Sequence, residues 1–265
     1  MTVDPLAPLM DLPGVAEASD RAREVLGRAH RHRANLRGWP TTAAEASLRA
    51  ARASSVLDGG PVKLIDLAEV SAESTLITDP VFGGALRVAQ ALEGGQGPLV
   101  AVWQKAPLQA LARLHMLAAA DQVGADQLGR PRTDPDVGPR LELLAELVTG
   151  KTQASAPVIA AVAHGELLTL RPFGSSDGVV ARAVSRLVTI SKGLDPHGLG
   201  VPEISWMRQP STYRDAARGF AEGTPAGLAA WLVMCCRAMQ AGAQEAIAIA
   251  DSVAGTKRES SPSAD

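Results

Sequence analysis

Apolar residues recur every three to four positions along most of this chain, which is the spacing that places them on one face of a helix. No pair of alternating, β-branched runs is long enough to indicate a sheet larger than a hairpin. The pattern therefore predicts an all-α fold. The predicted helices cover residues 15–36, 40–57, 64–70, 81–92, 108–120, 141–148, 156–170, 179–191, 212–221 and 225–253.

The composition agrees with a helical fold. Aromatic residues make up only 3% of the 265 residues, and alanine and leucine supply most of the apolar content, whereas strands favour β-branched and aromatic side chains. We predict that residues 40–254 form one helical domain. A lead-in and a basic helix are expected over residues 1–39, and a charged, serine-rich, disordered tail over residues 255–265.

The loop at residues 172–177 is the segment around which the predicted fold is organised. It is polar, contains glycine, and joins the helix that ends at Leu170 to a helix that begins near Gly178. Unpaired backbone N–H groups and the positive end of the helix dipole favour an anion there, and phosphate is the obvious candidate. A second loop, residues 124–138, contains the basic stretch 129–132 and is interpreted either as a cover over this site or as a solvated connector.

The charge distribution gives no overall attraction to nucleic acid or to an anionic membrane, because the formal net charge is −2. Arginines are concentrated over residues 21–37, but no aromatic residues alternate with them for base stacking. We interpret this cluster as a solvated helix face, with contact to an acidic partner or to nucleic acid as the alternatives. Nucleic acid is therefore not expected as the partner.

The N-terminus has no basic region followed by an apolar stretch, so no signal peptide is predicted. The longest uncharged apolar run lies between Glu222 and Arg237 and is shorter than the roughly 18 to 20 residues that span a membrane. We therefore expect a cytoplasmic protein without membrane contact. Cys235 and Cys236 are adjacent within that run, which favours core packing over a zinc site or a disulfide framework.

Three short motifs match known sites only in part. Residues 174–178 read G-x-S-x-G, but a helix precedes them, whereas the nucleophile elbow of a hydrolase follows a strand. Residues 150–152 read like the end of a P-loop, but Ala145 stands where that motif requires glycine. His164 and Glu166 have no third ligand at metal spacing. We therefore predict neither a serine hydrolase nor a metal site.

Residues 163–182 resemble the signature of the Fic (Fido) family, H-P-F-x-(D/E)-G-N-G-R-x-x-R, which lies between two central helices. Pro172 and Phe173 anchor the alignment, and the resemblance covers about residues 40–250. Members of this family transfer a nucleotide monophosphate, usually AMP, to a hydroxyl of a target protein. The resemblance implies a single Fic-like helical domain, and a ligand such as ATP or another nucleotide.

This chain differs from the family signature mainly at the positions that carry out the reaction. Arg171 stands where the family has the histidine that deprotonates the attacking hydroxyl, and a guanidinium cannot act as that base near neutral pH. Ser175 replaces the acidic Mg²⁺ ligand, which argues against Mg²⁺ as a cofactor. A loop glycine, an asparagine and the first arginine are replaced by Ser176, Asp177 and Val179. The residues that match are Pro172, Phe173, Gly178 and Arg182.

A second similarity lies upstream, where residues 54–59 resemble the inhibitory helix motif of the same family, (S/T)-x-x-x-E-(G/N). Ser54 and Gly59 match the ends of the motif, and Asp58 occupies the position of its glutamate. The resemblance implies that Asp58 contacts Arg182 and closes the pocket. Aspartate is one methylene shorter than glutamate, so its reach is shorter.

Three functional hypotheses follow. The preferred one is a degenerate Fic-like protein without AMP-transferase activity, a pseudoenzyme that keeps a phosphate or nucleotide pocket. The residues assigned to that pocket are Arg171, Ser175, Ser176, Gly178 and Arg182. The second is a non-catalytic protein-interaction module that docks a partner through its basic helix or its C-terminal helix. The third is an active nucleotidyltransferase in which Asp177 serves as a replacement base or metal ligand.

Overall fold

The computed structural model describes residues 4–61, 79–150 and 152–259, and within these ranges it contains helices and no β-strand. The predicted all-α class is therefore confirmed. The helices are α1 (Val15–Arg31), α2 (Asn35–Leu57), α3 (Pro80–Leu92), α4 (Pro98–Lys105), α5 (Pro107–Ala119), α6 (Val137–Thr149), α7 (Ala156–Leu170), α8 (Asp177–Ser191), α9 (Pro202–Arg208), α10 (Pro210–Glu222) and α11 (Pro225–Glu259). Single 3₁₀ turns lie at Ala7–Asp11 and Glu93–Gly95.

Helix α8 lies at the centre of the fold. All of its residues are buried except Gly178 and Ser191, because α7 packs along it and α2, α3, α4 and α5 cover its other sides. Helix α7 is apolar around most of its circumference, as expected for a helix that is enclosed by neighbours. The predicted pair of central helices is thus present, and it holds the loop between Leu170 and Asp177 at the edge of the core.

The N-terminal helices differ from the prediction. Helix α1 ends at Arg31, and α2 already begins at Asn35 and continues through Pro40, the residue at which the sequence pattern predicts a helix start. The Asn35 side chain explains the earlier start, because it donates to the carbonyl oxygen of Ala29 and accepts a hydrogen bond from Thr42. The predicted domain boundary after residue 39 therefore falls inside α2.

Other differences concern short helices and chain ends. Helices α4 and α9 were not predicted, since each has eight residues or fewer and shows too few turns for a periodic pattern. The predicted lead-in contains a 3₁₀ turn. Helix α11 continues to Glu259, past the predicted start of the tail at residue 255. The helix predicted over residues 64–70 and the last six residues of the predicted tail lie outside the described residues.

Helix α11 is a core helix of this fold. The segment Pro225–Gly255 is long and apolar enough to cross a membrane by length and composition, which the sequence analysis did not anticipate. Half of its apolar window is nevertheless buried in the fold, as in the core helix of a soluble protein. Cys235 and Cys236 are fully buried in α11, and burial raises the pKa of both thiols, so both act as packing residues.

Candidate functional site

The loop between α7 and α8 has an unusual backbone. Arg171 ends α7 with φ of 48°, and Ser176 precedes α8 with φ of 50°; in the described ranges these are the two non-glycine residues with positive φ. Gly174, between them, has φ of 76°. Left-handed conformations are costly for residues with a Cβ, and such strain is concentrated at functional sites.

The buried side chain of Asp177 stabilises this loop through a hydrogen bond to its backbone. Its Oδ1 accepts a hydrogen bond from the backbone N–H of Phe173 at 2.9 Å, and its side chain is almost fully buried. Burial raises the pKa of Asp177, while the loop N–H groups of Phe173 and Gly174 lower it in part. Its Oδ2 has no hydrogen-bond partner among the described residues. The carboxylate proposed as a replacement base therefore holds the loop in shape.

The connector between α5 and α6 is bonded to the loop through Arg132. The interpretation of this connector as a cover over the site stays a prediction. The backbone N–H of Arg132 donates to the carbonyl oxygen of Pro172 at 2.7 Å. The Arg132 guanidinium donates to the carbonyl oxygens of Leu170 and Arg171 at 3.1 and 2.9 Å. These are carbonyls at the C-terminus of α7, which have no partner within the helix. Arg132 therefore fixes the end of α7 to the connector.

His115 lies beneath the loop and was not identified from the sequence. This residue of α5 is fully buried, and its ring stacks on Phe173 with 4.2 Å between the ring centroids. Its Nδ1 accepts a hydrogen bond from the backbone N–H of Gly129, and its Nε2 lies 3.0 Å from Ser175 Oγ. His115 thus joins the connector to the loop.

The start of α8 holds a carboxylate that comes from α2. Asp58 Oδ2 accepts a hydrogen bond from the backbone N–H of Val179 at 2.9 Å, and Asp58 Oδ1 lies 2.7 Å from Arg182 Nη2. A Cβ at Gly178 would lie only 2.3 and 2.6 Å from the two carboxylate oxygens. The absence of a side chain at Gly178 therefore lets Asp58 approach, and Asp58 makes the contact with Arg182 that the resemblance implied.

Arg182 is buried behind Asp58. Its Nε donates to Ser54 Oγ at 2.8 Å, and its Nη2 donates to the Ser54 carbonyl oxygen at 2.9 Å. It also interacts with the buried hydroxyl of Tyr213, which lies 2.8 Å from His164 Nε2. Burial opposes the charge of Arg182, but the Asp58 carboxylate and the Tyr213 hydroxyl together outweigh it, so the pKa of the guanidinium is raised.

A cleft of about 490 Å³ lies beside these residues. It brings together most residues assigned to the pocket from the sequence, but Arg182 does not line it. Gly59 follows Asp58 just after the end of α2 and adopts a left-handed conformation, with φ of 91°. The residues that line the cleft are Leu57, Asp58, Val81, Gln122, Leu168, Arg171, Gly174, Ser175, Ser176, Asp177, Gly178, Val179 and Arg214.

The architecture has a known counterpart. A crystal structure of a Fic family protein from Desulfovibrio desulfuricans G20 matches with a TM-score of 0.68 and 15% sequence identity. The match covers 89% of this chain and 74% of that one. The chain has a Fic-like fold. No protein-family model matches the sequence, and no curated protein matches it.

The Fic-like fold of this chain does not provide a fitting Mg²⁺ site. Ser175 is the residue that the sequence resemblance aligns with the acidic ligand, and its hydroxyl lies 3.0 Å from His115 Nε2. Asp177 Oδ1 accepts the N–H of Phe173, and the carboxylate is almost fully buried. Over the described residues, no group of three or more histidine, cysteine, aspartate or glutamate side chains is arranged to hold a metal ion. Mg²⁺ prefers carboxylate and water ligands around an octahedral site, which this loop does not offer.

Acid should destabilise this Fic-like fold through His164 and His115. Burial lowers the pKa of both rings, and the cationic Arg182 lowers that of His164 further. Both rings titrate near pH 6.5 in an unfolded chain. Between that value and their lower folded values, the unfolded state binds protons that the folded state does not bind. Stability is therefore complete above pH 6.5 and decreases as the pH falls below it.

Urea unfolding at pH 7.5 and 5.5 measures this effect. We expect the free energy of unfolding to fall by up to about 1.4 kcal/mol for each histidine over one pH unit below 6.5. Asp177 acts in the opposite direction because its pKa is raised, so the comparison is repeated with Asp177→Asn. If the free energy of unfolding depended on pH in His164→Gln and His115→Gln as it does in the parent, these two histidines would not be the source of the acid destabilisation.

Proposed function

We propose that this chain is a degenerate Fic-like protein that binds a phosphate-bearing ligand of the nucleotide class and does not transfer AMP. One observation carries the proposal. The Asp58 carboxylate sits on the N-terminus of α8, bonded to the backbone N–H of Val179, at the edge of the 490 Å³ cleft. Donors that hold a carboxylate oxygen also suit a phosphate oxygen.

The cleft offers further positive charge for such a ligand. Arg171 and Arg214 are exposed, lie on different helices and line the cleft together with Ser175. Charge-assisted hydrogen bonds from such groups contribute roughly 1.5 to 3 kcal/mol each to binding. Asp58 opposes the same ligand, because its carboxylate occupies the helix N-terminus and would repel a phosphate there. Nucleotide affinity in the parent is therefore weakened by the chain itself.

The groups near the loop are unsuited to AMP transfer. A transferase of this class needs a base to deprotonate the attacking hydroxyl, and a guanidinium, as at Arg171, does not serve as such a base. Asp177, the alternative base, is buried and bonded to the loop backbone. The proposal places the protein in the cytoplasm, where ATP, ADP and AMP are available.

A second candidate function, docking of a protein partner, rests on a separate surface. Four exposed arginines surround the turn between α1 and α2, and in the described part of the chain none of them forms an ion pair. They are Arg28, Arg31, Arg33 and Arg37. Leu36, in the middle of this stretch, exposes 67% of its surface. An acidic partner surface with an apolar centre would fit this basic surface.

Calorimetric titration with ATP, ADP and AMP, with and without Mg²⁺, tests the nucleotide proposal. We expect weak binding to the parent and at least tenfold tighter binding to Asp58→Ala, with little effect of Mg²⁺. Asp215→Ala, which removes an exposed carboxylate of α10, serves as the matched control and should bind like the parent. Unfolding curves and the milder Asp58→Asn variant show whether a change in affinity reflects a loss of folding.

Failure of all three nucleotides to bind either the parent or the Asp58 variants would contradict the proposal. A partner that binds the parent, and is lost in Arg33→Glu but kept in Arg171→Ala, would instead favour the interaction module. Incubation of the parent with labelled ATP and a cell lysate tests the third hypothesis. Label that is transferred by the parent and lost in Asp177→Asn would show an active transferase.

A further inference from the structure

The ring of His115 has a fixed hydrogen-bonding pattern. The backbone N–H of Gly129 can only donate, so Nδ1, which accepts it at 2.9 Å, carries no proton. In the neutral ring the proton is then on Nε2, and Nε2 donates to Ser175, whose Oγ is 3.0 Å away. Burial lowers the pKa of His115, and a hydrogen bond with the backbone of Ser175 raises it in part.

This pattern excludes one role for His115 and supports another. The ring cannot act as a base toward Ser175, because the nitrogen that faces the hydroxyl already carries the proton. Protonation of Nδ1 would place two donors against each other at Gly129. Ser175 Oγ therefore accepts from His115, and its own O–H has no further partner in the described ranges. Since Ser175 lines the cleft, that O–H is available to a ligand.

We propose that His115 positions the Ser175 hydroxyl as a hydrogen-bond donor that contacts a phosphate oxygen of the ligand in the cleft. This inference rests on the proposed function and adds to it a positioning residue and a specific donor. It also gives the connector a role, because the Gly129 N–H determines which nitrogen of His115 carries the proton. His115 acts through Ser175 and does not itself touch the ligand.

Gly129 is suited to this role by its backbone. It adopts φ of 70°, in the left-handed region that favours glycine. A Cβ there would lie 3.0 Å from Met116 Cγ and 3.1 Å from the carbonyl oxygen of Ala112, both on α5. The missing side chain thus lets the connector approach α5 closely enough for its N–H to reach His115.

Calorimetry with AMP in the Asp58→Ala background tests the proposal through a double-mutant cycle. Ser175→Ala should weaken binding about tenfold, because one charge-assisted donor is lost. His115→Phe should weaken it by a similar factor, and the double variant no further, because both changes remove one contact. His115→Gln restores an N–H near Ser175 and should recover most of the affinity. His32→Gln, a change at the partly buried turn between α1 and α2, is the matched control.

A long-range ¹H–¹⁵N spectrum of the histidine rings tests the same proposal without a ligand. We expect the neutral form of His115 with the proton on Nε2 at pH 7. A cationic ring, or a proton on Nδ1, would overturn the proposal. The proposal would also be overturned if the losses in AMP affinity from Ser175→Ala and His115→Phe were additive in the double variant. A His115→Phe variant that binds AMP as tightly as Asp58→Ala alone would overturn it as well. If AMP bound neither the parent nor Asp58→Ala, both the proposed function and the ligand contact of Ser175 would be overturned. The spectrum tests the hydrogen-bond pattern of His115 independently of that result.

Discussion

Replacement of Arg182 by alanine should lower the free energy of unfolding by about 3 kcal/mol, as expected when one partner of a largely buried ion pair is removed. The variant leaves the Asp58 carboxylate on α8 without its cation and removes the donors that Ser54 Oγ and the Ser54 carbonyl oxygen accept. The buried hydroxyl of Tyr213 also loses its interaction with the Arg182 guanidinium. Urea unfolding at pH 7.5 measures the difference.

The matched control for this prediction is Arg218→Ala. Arg218 forms an ion pair with Asp215 on α10, but both side chains are more than half exposed. Exposed pairs contribute about 0 to 1 kcal/mol, so the control should unfold almost like the parent. An Arg182→Ala variant that is as stable as Arg218→Ala would show that the Arg182 contacts do not hold α2 against α8.

Gly178→Ala should lower the free energy of unfolding by about 2 kcal/mol, because it inserts a methyl group into the space of the Asp58 carboxylate. The three atoms nearest to such a Cβ all belong to Asp58, the closest at 2.3 Å. Asp58 would have to leave the N–H of Val179 and the guanidinium of Arg182. Urea unfolding of the variant, compared with the parent, measures the cost.

The sign of this effect should reverse in the Asp58→Ala background. Without the carboxylate, Gly178→Ala meets no atom of Asp58, and alanine is favoured over glycine in a helix by up to about 1 kcal/mol. The two substitutions together should therefore be no less stable than Asp58→Ala alone. An equal loss in both backgrounds would show that Gly178 is required for a reason other than the approach of Asp58.

The centre of the fold could be predicted from the sequence because its signals are local. Helix α7 was predicted with the bounds that the structure has, since its apolar run is long and ends before Pro172. The start of α8 was predicted within two residues. The loop between them follows from its glycine and polar residues, and the Pro172–Phe173 pair gave the resemblance that the shared fold supports.

The rest of the site could not be predicted, because it depends on contacts between residues that are distant in sequence. His115 and Ser175 are 60 positions apart, and His164 and Tyr213 are 49 positions apart. The spacing of apolar residues along the sequence does not indicate which distant residues form such pairs. The predicted start of α2 was wrong for a different reason. The side chain of Asn35 forms hydrogen bonds with residues only six and seven positions away, and these outweigh the preference of proline for a helix start. Arg182 was assigned correctly to Asp58's neighbourhood, but its burial away from the cleft was not foreseen.

The packing of α1 against α11 has a consequence for how the protein is made. Gln240 donates to the carbonyl oxygen of Ala18 from 222 positions further along the chain. At 5 to 20 residues per second, a ribosome needs roughly 10 to 40 s to synthesise that interval. Throughout this time the apolar face of α1, including Val15 and Ala22, lacks the cover of α11, the helix against which α1 packs most extensively. Helix α1 is therefore made first, but its packing against α11 is completed last. A chaperone that shields α1 during synthesis should raise the yield of folded protein.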